Sequence, residues 1–159
     1  MHGEPDPAIL RRAIALATKN VRSGAGGPFG AVVVRNGRVV GEGANTVTAT
    51  LDPTAHAEVN AIRAAARALG TFTLDGCELY SSCEPCPMCY SAAHWARIER
   101  VYYGASAADA ARAGFDDLFL YEELRKDKAE RKLSTTQLLG GEAWASFAAW
   151  IAATNKVGY

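Results

Sequence analysis

The sequence has no long apolar run and no start of the kind that directs secretion. No window offers about 18 uninterrupted apolar residues, the length that a membrane-spanning helix needs. The opening MHGEPDPAIL has neither the basic region nor the apolar stretch of a signal peptide. Internal repeats and low-complexity segments are also lacking. We therefore expect a soluble, cytoplasmic protein with no membrane partner.

An excess of charge of either sign is absent as well. The 17 Lys and Arg residues balance 17 Asp and Glu residues, so no global field attracts phosphates or an anionic membrane surface. A nucleic-acid partner is therefore unlikely on charge grounds. What the chain does have is 159 residues of which 49% are hydrophobic, enough for one globular domain over residues 1–159 with a buried core.

Cysteine is scarce and unevenly placed. All four cysteines lie within thirteen positions, at Cys77, Cys83, Cys86 and Cys89. Four so closely bunched residues do not suit the scattered disulfide framework of a small secreted protein, and in a reducing compartment such a cluster more often binds metal. The cluster makes a metal site the first hypothesis to test.

Hydrophobic periodicity predicts an alternation of helices and strands. Helical spacing and helix start signals predict six helices, at residues 6–21, 52–69, 85–98, 107–114, 115–126 and 141–154. Two β-rich runs flank Asn36-Gly37, a strong hairpin signal, and residues 77–82 and 100–105 read as further strands. Residues 45–52 are predicted as a polar loop, and the charge run 126–132 as a solvated connector.

The order strand, helix, strand over residues 77–105 has a topological consequence. Tight connections of this kind form a right-handed βαβ unit, so the strands at 77–82 and 100–105 should be parallel. The hairpin strands are antiparallel. The sheet is therefore predicted to be mixed, in an α/β fold.

The motif CEPCPMC at residues 83–89 is the strongest candidate for metal binding. Cys86 and Cys89 are three apart, which on a helix places both sulfurs on one face. Their position near a helix start favours the thiolate form that binds metal. Two thiolates supply half of a tetrahedral zinc shell, and His56 can add an imidazole if its helix begins beside theirs.

The segment TAHAEV, residues 54–59, supplies a second chemical group. Three protein ligands leave one position of a tetrahedral zinc open, and open positions are typical of catalytic rather than structural zinc because they can hold an activated water. Glu58 lies two residues after His56 and could take the proton of that water without binding the ion. The pattern indicates a hydrolase.

Two other interpretations of the cysteines stay open. The CxxC pair could be a redox pair, although the flanking Pro85 and Pro87 and the upstream His56 do not match a thioredoxin-like context. Cys83 also precedes Cys86 by three and could close a structural Cys3His site. We favour buried thiols for Cys83 and Cys77.

The pairing of HAE at 56–58 with PCPMC at 85–89 matches the H-x-E…P-C-x-x-C signature of zinc deaminases that act on nucleobases. The chain therefore resembles the cytidine deaminase-like superfamily. Further stretches resemble its bacterial guanine deaminases, and the likeness spans nearly the whole chain. These stretches are GGPFGAVVV at 26–34, DPTAHAEVNAIR at 52–63, SCEPCPMC at 82–89, WARI at 95–98 and AGFDD at 113–117.

The resemblance implies a fold and an activity. The fold would be a three-layer α/β/α sandwich with a mixed five-stranded sheet and one zinc ion per subunit between two helix starts. The activity would be hydrolytic deamination of free guanine to xanthine and ammonia. Zinc ligands carry over onto His56, Cys86 and Cys89, and the proton shuttle carries over onto Glu58.

The resemblance also implies substrate contacts and an assembly. The substrate-binding residues would be Asn45, Phe29, Asp117, Ala57 and Tyr159. Phe29 would pack on the face of the base, Asn45 would hydrogen-bond it, and Asp117 would pair with its donor nitrogens. Homodimers of the family exchange C-terminal segments, here about residues 125–159, so Tyr159 would reach the neighbouring subunit's site.

Several alternatives remain at this point. Without the resemblance, Phe29 could be a core aromatic, Asn45 a loop cap and Asp117 a helix-start residue. The substrate could be another amino-heterocycle or nucleoside, such as guanosine, cytosine or a triazine, or a tRNA adenosine. A zinc-stabilised module without turnover is the remaining class. His94 stands where the family has an aromatic residue, and is predicted either as a core imidazole or as a group that alters the pocket.

Overall fold

Four strands form one mixed sheet in the structure, a computed structural model that describes residues 4–159. They are β1 Gly30–Arg35, β2 Arg38–Ala44, β3 Cys77–Cys83 and β4 Arg100–Ala105, in the order β2-β1-β3-β4. Strand β1 is antiparallel to both β2 and β3, whereas β3 and β4 are parallel. The predicted hairpin and the predicted parallel pair are both confirmed.

The hairpin between β1 and β2 turns at the residues that the sequence indicated. Asn36 has φ 52° and Gly37 has φ 72°, and the flanking Arg35 and Arg38 are paired. Two consecutive left-handed residues are what a two-residue type I′ turn requires, and Asn-Gly adopts them at low cost. The turn chemistry therefore fixes the register of this end of the sheet.

The helices fall into two compact units, the first ending at Tyr121 and the second covering Glu122–Tyr159. The first unit holds α1 Pro7–Arg22, α2 Val47–Thr50, α3 Ala57–Leu69, α4 Pro87–Trp95 and α5 Ala107–Arg112. Helix α6, Asp117–Arg125, crosses the boundary between them. The second unit continues with a short 3₁₀ turn, Lys128–Glu130, and α7, Gly140–Ala152. No helix within residues 4–159 has both the length and the apolar character needed to cross a bilayer.

Helices cover both faces of the sheet because successive strand residues point in opposite directions. On one face α1 packs its Ala13 against Val32 and Tyr80. On the other face α3 and α4 pack around Val33 and Leu79. The three-layer α/β arrangement is therefore confirmed for the first unit, with the metal-motif helices α3 and α4 together on the same face.

The predicted sheet had five strands, and the described residues contain four. The fifth strand was implied by the resemblance alone, and the residues that follow β4 form the helices α5 and α6 instead. The predicted polar loop at 45–52 also contains the one-turn helix α2. Neither difference changes the fold class.

Both metal-motif helices begin later than predicted. Helix α3 begins at Ala57 rather than at 52–54, because the Asp52 carboxylate accepts hydrogen bonds from the Thr54 amide and hydroxyl and forms a separate turn first. Helix α4 begins at Pro87 rather than Pro85. Cys86 precedes that proline and is extended, with ψ 166°, as residues before proline usually are. The consequence is that His56 and Cys86 are the N-cap residues of the two helices.

Helix α3 lies so close to β2 that glycine is required between them. A Cβ on Gly43 would lie 2.3 Å from the Ala57 oxygen and 2.5 Å from the Ala61 nitrogen, both main-chain atoms of α3. We therefore expect Gly43→Ala to lower the free energy of unfolding by about 1–3 kcal/mol, through overpacking, in urea denaturation. Gly141→Ala is the control, because its Cβ meets no atom of residues 4–159 within 4 Å. Equal stability of Gly43→Ala and the wild type would show that α3 is not held this closely.

Candidate active site

The starts of α3 and α4 bring together the three side chains of the metal hypothesis. His56 caps α3, Cys86 caps α4, and Cys89 lies in the first turn of α4. Their ligand atoms, the imidazole nitrogen and the two sulfurs, all lie within 4.8 Å of one another. A pattern spread over more than thirty residues of sequence is thus one compact cluster.

The cluster has the dimensions of a zinc site. The Nδ1 atom of His56 lies 3.6 Å from the Cys86 sulfur and 3.5 Å from the Cys89 sulfur. A tetrahedral zinc with Zn–S about 2.3 Å and Zn–N about 2.0 Å sets a nitrogen–sulfur separation of about 3.5 Å. One imidazole and two sulfurs are also a donor set that zinc prefers. The residues therefore fit one zinc ion.

The ionisation of the sulfurs favours a bound cation. The pKa of Cys86 is lowered to about 4, because hydrogen bonds from Cys89 and His56 stabilise its thiolate. The pKa of Cys89 is raised, because its thiol donates to Cys86 and is buried. The pKa of His56 is raised by its hydrogen bond to Cys86. The three side chains thus share protons through hydrogen bonds with one another. A bound metal cation would displace those protons.

Glu58 is a buried carboxyl group beside this cluster. It lies in the first turn of α3 and is only 4% exposed. Its Oε1 accepts a hydrogen bond from the Ser81 hydroxyl of β3 at 3.0 Å. Burial raises the pKa of Glu58, since the charged form loses its hydration. A carboxyl group whose protonated form is favoured in this way is suited to carry a proton between reacting groups.

Cys83 lies at the end of β3, and its thiol is not one of the three ligand atoms of the cluster. Its sulfur lies 3.7 Å from the Ser106 oxygen, to which it donates. Burial raises the pKa of Cys83 to about 11, so it stays protonated. Cys77 is fully buried in the core. The prediction that both are buried thiols is confirmed.

A cavity of about 420 Å³ opens onto the cluster and Glu58. It lies entirely within the first unit. Its lining comes from the loops before β1, after β2 and after β3, from α2, from the starts of α3, α4 and α6, and from the residues just before α6. The lining residues are Gly27, Phe29, Asn45, Val47, Thr48, His56, Glu58, Glu84, Cys86, Phe115 and Asp117.

Three of the predicted substrate-binding residues line this cavity, namely Phe29, Asn45 and Asp117. Phe29 packs edge-on against Phe115, with ring centroids 4.8 Å apart and planes at 81°. Asn45 is 8% exposed, and its Oδ1 accepts a hydrogen bond from the Val47 amide at 3.3 Å. Its amide nitrogen therefore remains as a donor. Burial raises the pKa of the Asp117 carboxyl.

The other predicted residues lie elsewhere. The Ala57 side chain is fully buried in the core between the sheet and α3 and does not line the cavity, and its predicted substrate contact stays a prediction. Tyr159 belongs to the second unit and is 76% exposed. The prediction of a core imidazole at His94 is wrong. His94 is exposed on the outer side of α4, where it packs edge-on against Tyr90 one turn earlier, and it does not line the cavity.

Some cavity residues were missed by the sequence analysis. Phe115 lies in the AGFDD stretch that carried part of the resemblance, so that stretch could have suggested it. Glu84 stands inside CEPCPMC, between Cys83 and the metal-binding pair. Val47 and Thr48 gave no signal, because their helix α2 was read as a loop.

Comparison with known proteins places this site in a family. The family model for the cytidine and deoxycytidylate deaminase zinc-binding region matches residues 4–105, which contain the His56, Cys86 and Cys89 cluster and Glu58. The chain belongs to this family. It is accordingly a zinc enzyme of the deaminase type, a hydrolase acting on C–N bonds.

Individual relatives of the family cover most of the chain. Guanine deaminase of Bacillus subtilis is 51% identical over 151 residues, which make up 95% of this chain and 97% of that protein. An X-ray structure of guanine deaminase from Bacillus subtilis matches with a TM-score of 0.93 and 49% identity, covering 98% of this chain and 99% of that one. The predicted membership of the cytidine deaminase-like superfamily is confirmed.

More distant deaminases share part of the chain. A guanine deaminase structure from Nitrosomonas europaea has a TM-score of 0.67 and 31% identity, covering 74% of this chain and 68% of that one. The tRNA-specific adenosine deaminase of Bacillus subtilis is 37% identical over 125 residues, 79% of this chain and 77% of that protein. The shared zinc region therefore does not by itself choose the substrate.

Proposed function

We propose that the protein hydrolyses free guanine to xanthine and ammonia. The observation that carries the proposal is the cavity in which Glu58 and the zinc-binding cluster meet Phe29, Asn45 and Asp117. The choice of guanine is supported by the 51% identity with a guanine deaminase over 95% of the chain. A role in purine metabolism would follow from this substrate.

In this proposal His56, Cys86 and Cys89 hold one zinc ion. His56 binds through Nδ1, the nitrogen that faces both sulfurs. Zinc held by three protein ligands lowers the pKa of water in its fourth position and so supplies a nucleophile near neutral pH. Since the Cys83 thiol donates to the Ser106 oxygen, it leaves that fourth position open.

Glu58 moves the protons of the reaction. Its carboxylate takes a proton from the attacking water as a C–O bond forms at the ring carbon that bears the amino group. It delivers this proton to an adjacent ring nitrogen, then takes a second proton from the hydroxyl now bonded to the carbon and delivers it to the departing amine, so that a C=O bond is left. The C–N bond breaks and ammonia leaves. The hydrogen bond from Ser81 holds the carboxylate in place, and burial helps it to retain the proton between the two transfers.

The walls of the cavity orient a flat base. Phe29 offers an aromatic face for stacking, and its contact with Phe115 fixes the ring. Asn45 can offer its amide nitrogen as a donor, while its oxygen accepts from the Val47 amide. Asp117 accepts hydrogen bonds from ring or amino N–H groups. A donor and an acceptor in the same cavity suit the edge of guanine, which carries both kinds of group.

A substrate screen with zinc quantified in the same sample tests the proposal. Guanine, guanosine, cytosine, a triazine and tRNA are offered separately, and ammonia release is measured. We expect release from free guanine, with xanthine as the product, in protein that holds one zinc per chain. Release from tRNA or from a nucleoside but not from guanine would reject guanine as the substrate.

The second unit supports a proposal about assembly. Helix α7 carries four large apolar side chains that are 45–62% exposed in the single chain, namely Trp144, Phe147, Trp150 and Ile151. Apolar surface of this extent usually meets another protein surface. A homodimer that exchanges about residues 125–159 would cover it, and would bring the partner's Tyr159 to the substrate.

A cytoplasmic location stays a prediction.

Removal of the tyrosine ring gives a test of this assembly. We expect the wild type to sediment as a dimer at micromolar concentration, and Tyr159→Ala to remain a dimer while its KM for guanine rises by about tenfold, because one aromatic wall is lost. Glu142→Gln, a polar change at the exposed start of α7, is the control. A wild type that sediments only as a monomer would reject the exchange.

A further inference from the structure

Asn20 is a buried polar residue that none of the functional motifs includes. It lies in the last turn of α1, on the face of the sheet opposite to α3 and α4, and is 6% exposed. A buried carboxamide is costly unless its donors and acceptors are paired. Its partners therefore show what it is placed to do.

The side chain of Asn20 joins two of the loops that line the cavity. Its Nδ2 donates to the Gly27 oxygen at 2.9 Å and to the Asn45 oxygen at 2.8 Å. Gly27 belongs to the loop before β1, and Asn45 follows β2. The two hydrogens of one amide group thus satisfy two carbonyl groups from separate parts of the chain.

The loops close tightly around this amide. A Cβ on Gly26 would lie 2.2 Å from the Asn45 oxygen and 2.9 Å from the Asn20 Nδ2. Any side chain at residue 26 would collide with both groups, so this loop packs directly against the amide. The Gly27 oxygen also accepts from the Phe29 amide at 2.9 Å, so Asn20 and Phe29 share this acceptor, and the Asn45 oxygen accepts from Asn20.

The effect of Asn20 continues into the cavity wall. The backbone amide of Asn45 donates to the Phe29 oxygen at 3.1 Å. Asn20 is therefore connected to Phe29 through Asn45. Both side chains line the cavity. We propose that Asn20 is a positioning residue that sets the wall formed by Phe29 and Asn45, and hence the affinity for the base. This inference rests on the proposed deamination of guanine.

Asn20 contacts the loops that form the wall and not the metal-binding side chains. Within residues 4–159 its side chain bonds to the loops at Gly27 and Asn45, whereas the zinc-binding side chains and Glu58 lie at the starts of α3 and α4. Loss of the amide should therefore disturb base binding more than proton transfer. Substitution of a residue that served stability alone would not affect base binding more than proton transfer.

The test compares Asn20→Asp with Val34→Ala in steady-state deamination of guanine. Asp has the shape of Asn but lacks both N–H donors. We expect Asn20→Asp to raise KM by about tenfold or more and to change kcat by less than about threefold. We also expect this variant to hold one zinc per chain. Asn20→Ser keeps one hydrogen-bond donor, so its KM should rise less. If Asn20→Asp does not fold, Asn20→Ser takes its place in the comparison. Val34→Ala removes buried apolar volume far from the cavity, so it should lower the melting temperature without raising KM.

Hydrogen exchange provides a measurement that does not require turnover. We expect the Asn45 amide, bonded to the Phe29 oxygen, to exchange at least about tenfold faster in Asn20→Asp than in Val34→Ala. An unchanged KM and exchange rate in Asn20→Asp, or an equal rise of KM in Val34→Ala, would overturn the inference while leaving the proposed function intact. A wild type that does not deaminate guanine would overturn the proposed function, and the exchange rates alone would then decide the role of Asn20.

Discussion

Glu58→Gln is expected to retain its fold and one zinc ion per chain while losing ammonia release by roughly 10²- to 10⁴-fold, the contribution of a positioned acid–base group. Gln is nearly isosteric with Glu, and its oxygen can still accept the hydrogen bond from Ser81. It can neither take the proton of the attacking water nor return it to the leaving amine. The measurement is kcat for guanine, with zinc content and melting temperature from the same preparation.

Glu78→Gln is the matched control for this variant. Glu78 lies at the opposite end of β3 from Ser81, where it accepts a hydrogen bond from the Tyr80 hydroxyl. The same chemical change at this half-buried position should leave kcat within about twofold, because Glu78 does not line the cavity. Turnover by Glu58→Gln at the rate of the wild type would refute the proton-transfer role of Glu58.

Cys86→Ser is expected to hold well under one zinc per chain and to lose more than about a hundredfold in activity, since even residues that only support metal ligands are worth 10- to 100-fold. The serine hydroxyl does not ionise near neutral pH, whereas the pKa of Cys86 is lowered to about 4 by its hydrogen bonds from Cys89 and His56. Metal binding also contributes to folding, so the melting temperature should fall. Metal analysis and calorimetry on one sample measure both effects.

Cys83→Ala is the control for the loss of a sulfur in the same motif. Its thiol donates to the Ser106 oxygen, so this variant should keep one zinc per chain and most of its turnover, with at most a modest loss of stability. Loss of zinc from Cys83→Ala would mean that Cys83 is a fourth ligand. The centre would then be a closed structural site of the Cys3His type, and the enzyme mechanism would fail.

The metal cluster could be predicted from the sequence because its geometry is local. Cys86 is the N-cap residue of α4 and Cys89 lies in its first turn, three residues later, and helix-start signals precede both His56 and Cys86. Only the meeting of the two helices required the fold, and the predicted mixed sheet put both on the same face. The helix starts themselves were misplaced by two or more residues, because the Asp52 turn and Pro87 decide them.

The cavity wall could not be predicted in the same way. Phe115 contacts Phe29 across 86 residues of sequence, and Asn20 holds Asn45 across 25. Neither contact leaves a periodic pattern in the sequence, because each depends on how the loops at the ends of the strands pack together. His94 shows a different failure: it stands where the family has an aromatic residue and was predicted as a core imidazole, but its helix presents it to solvent.

The coordination of the bound zinc tests the account most directly, and X-ray absorption at the zinc edge of the purified enzyme measures it. We predict two sulfur neighbours at about 2.3 Å, with the remaining neighbours nitrogen or oxygen at about 2.0 Å, from Cys86, Cys89, His56 and one water. Three sulfur neighbours, or protein that purifies without stoichiometric zinc, would contradict a centre with a position free for water.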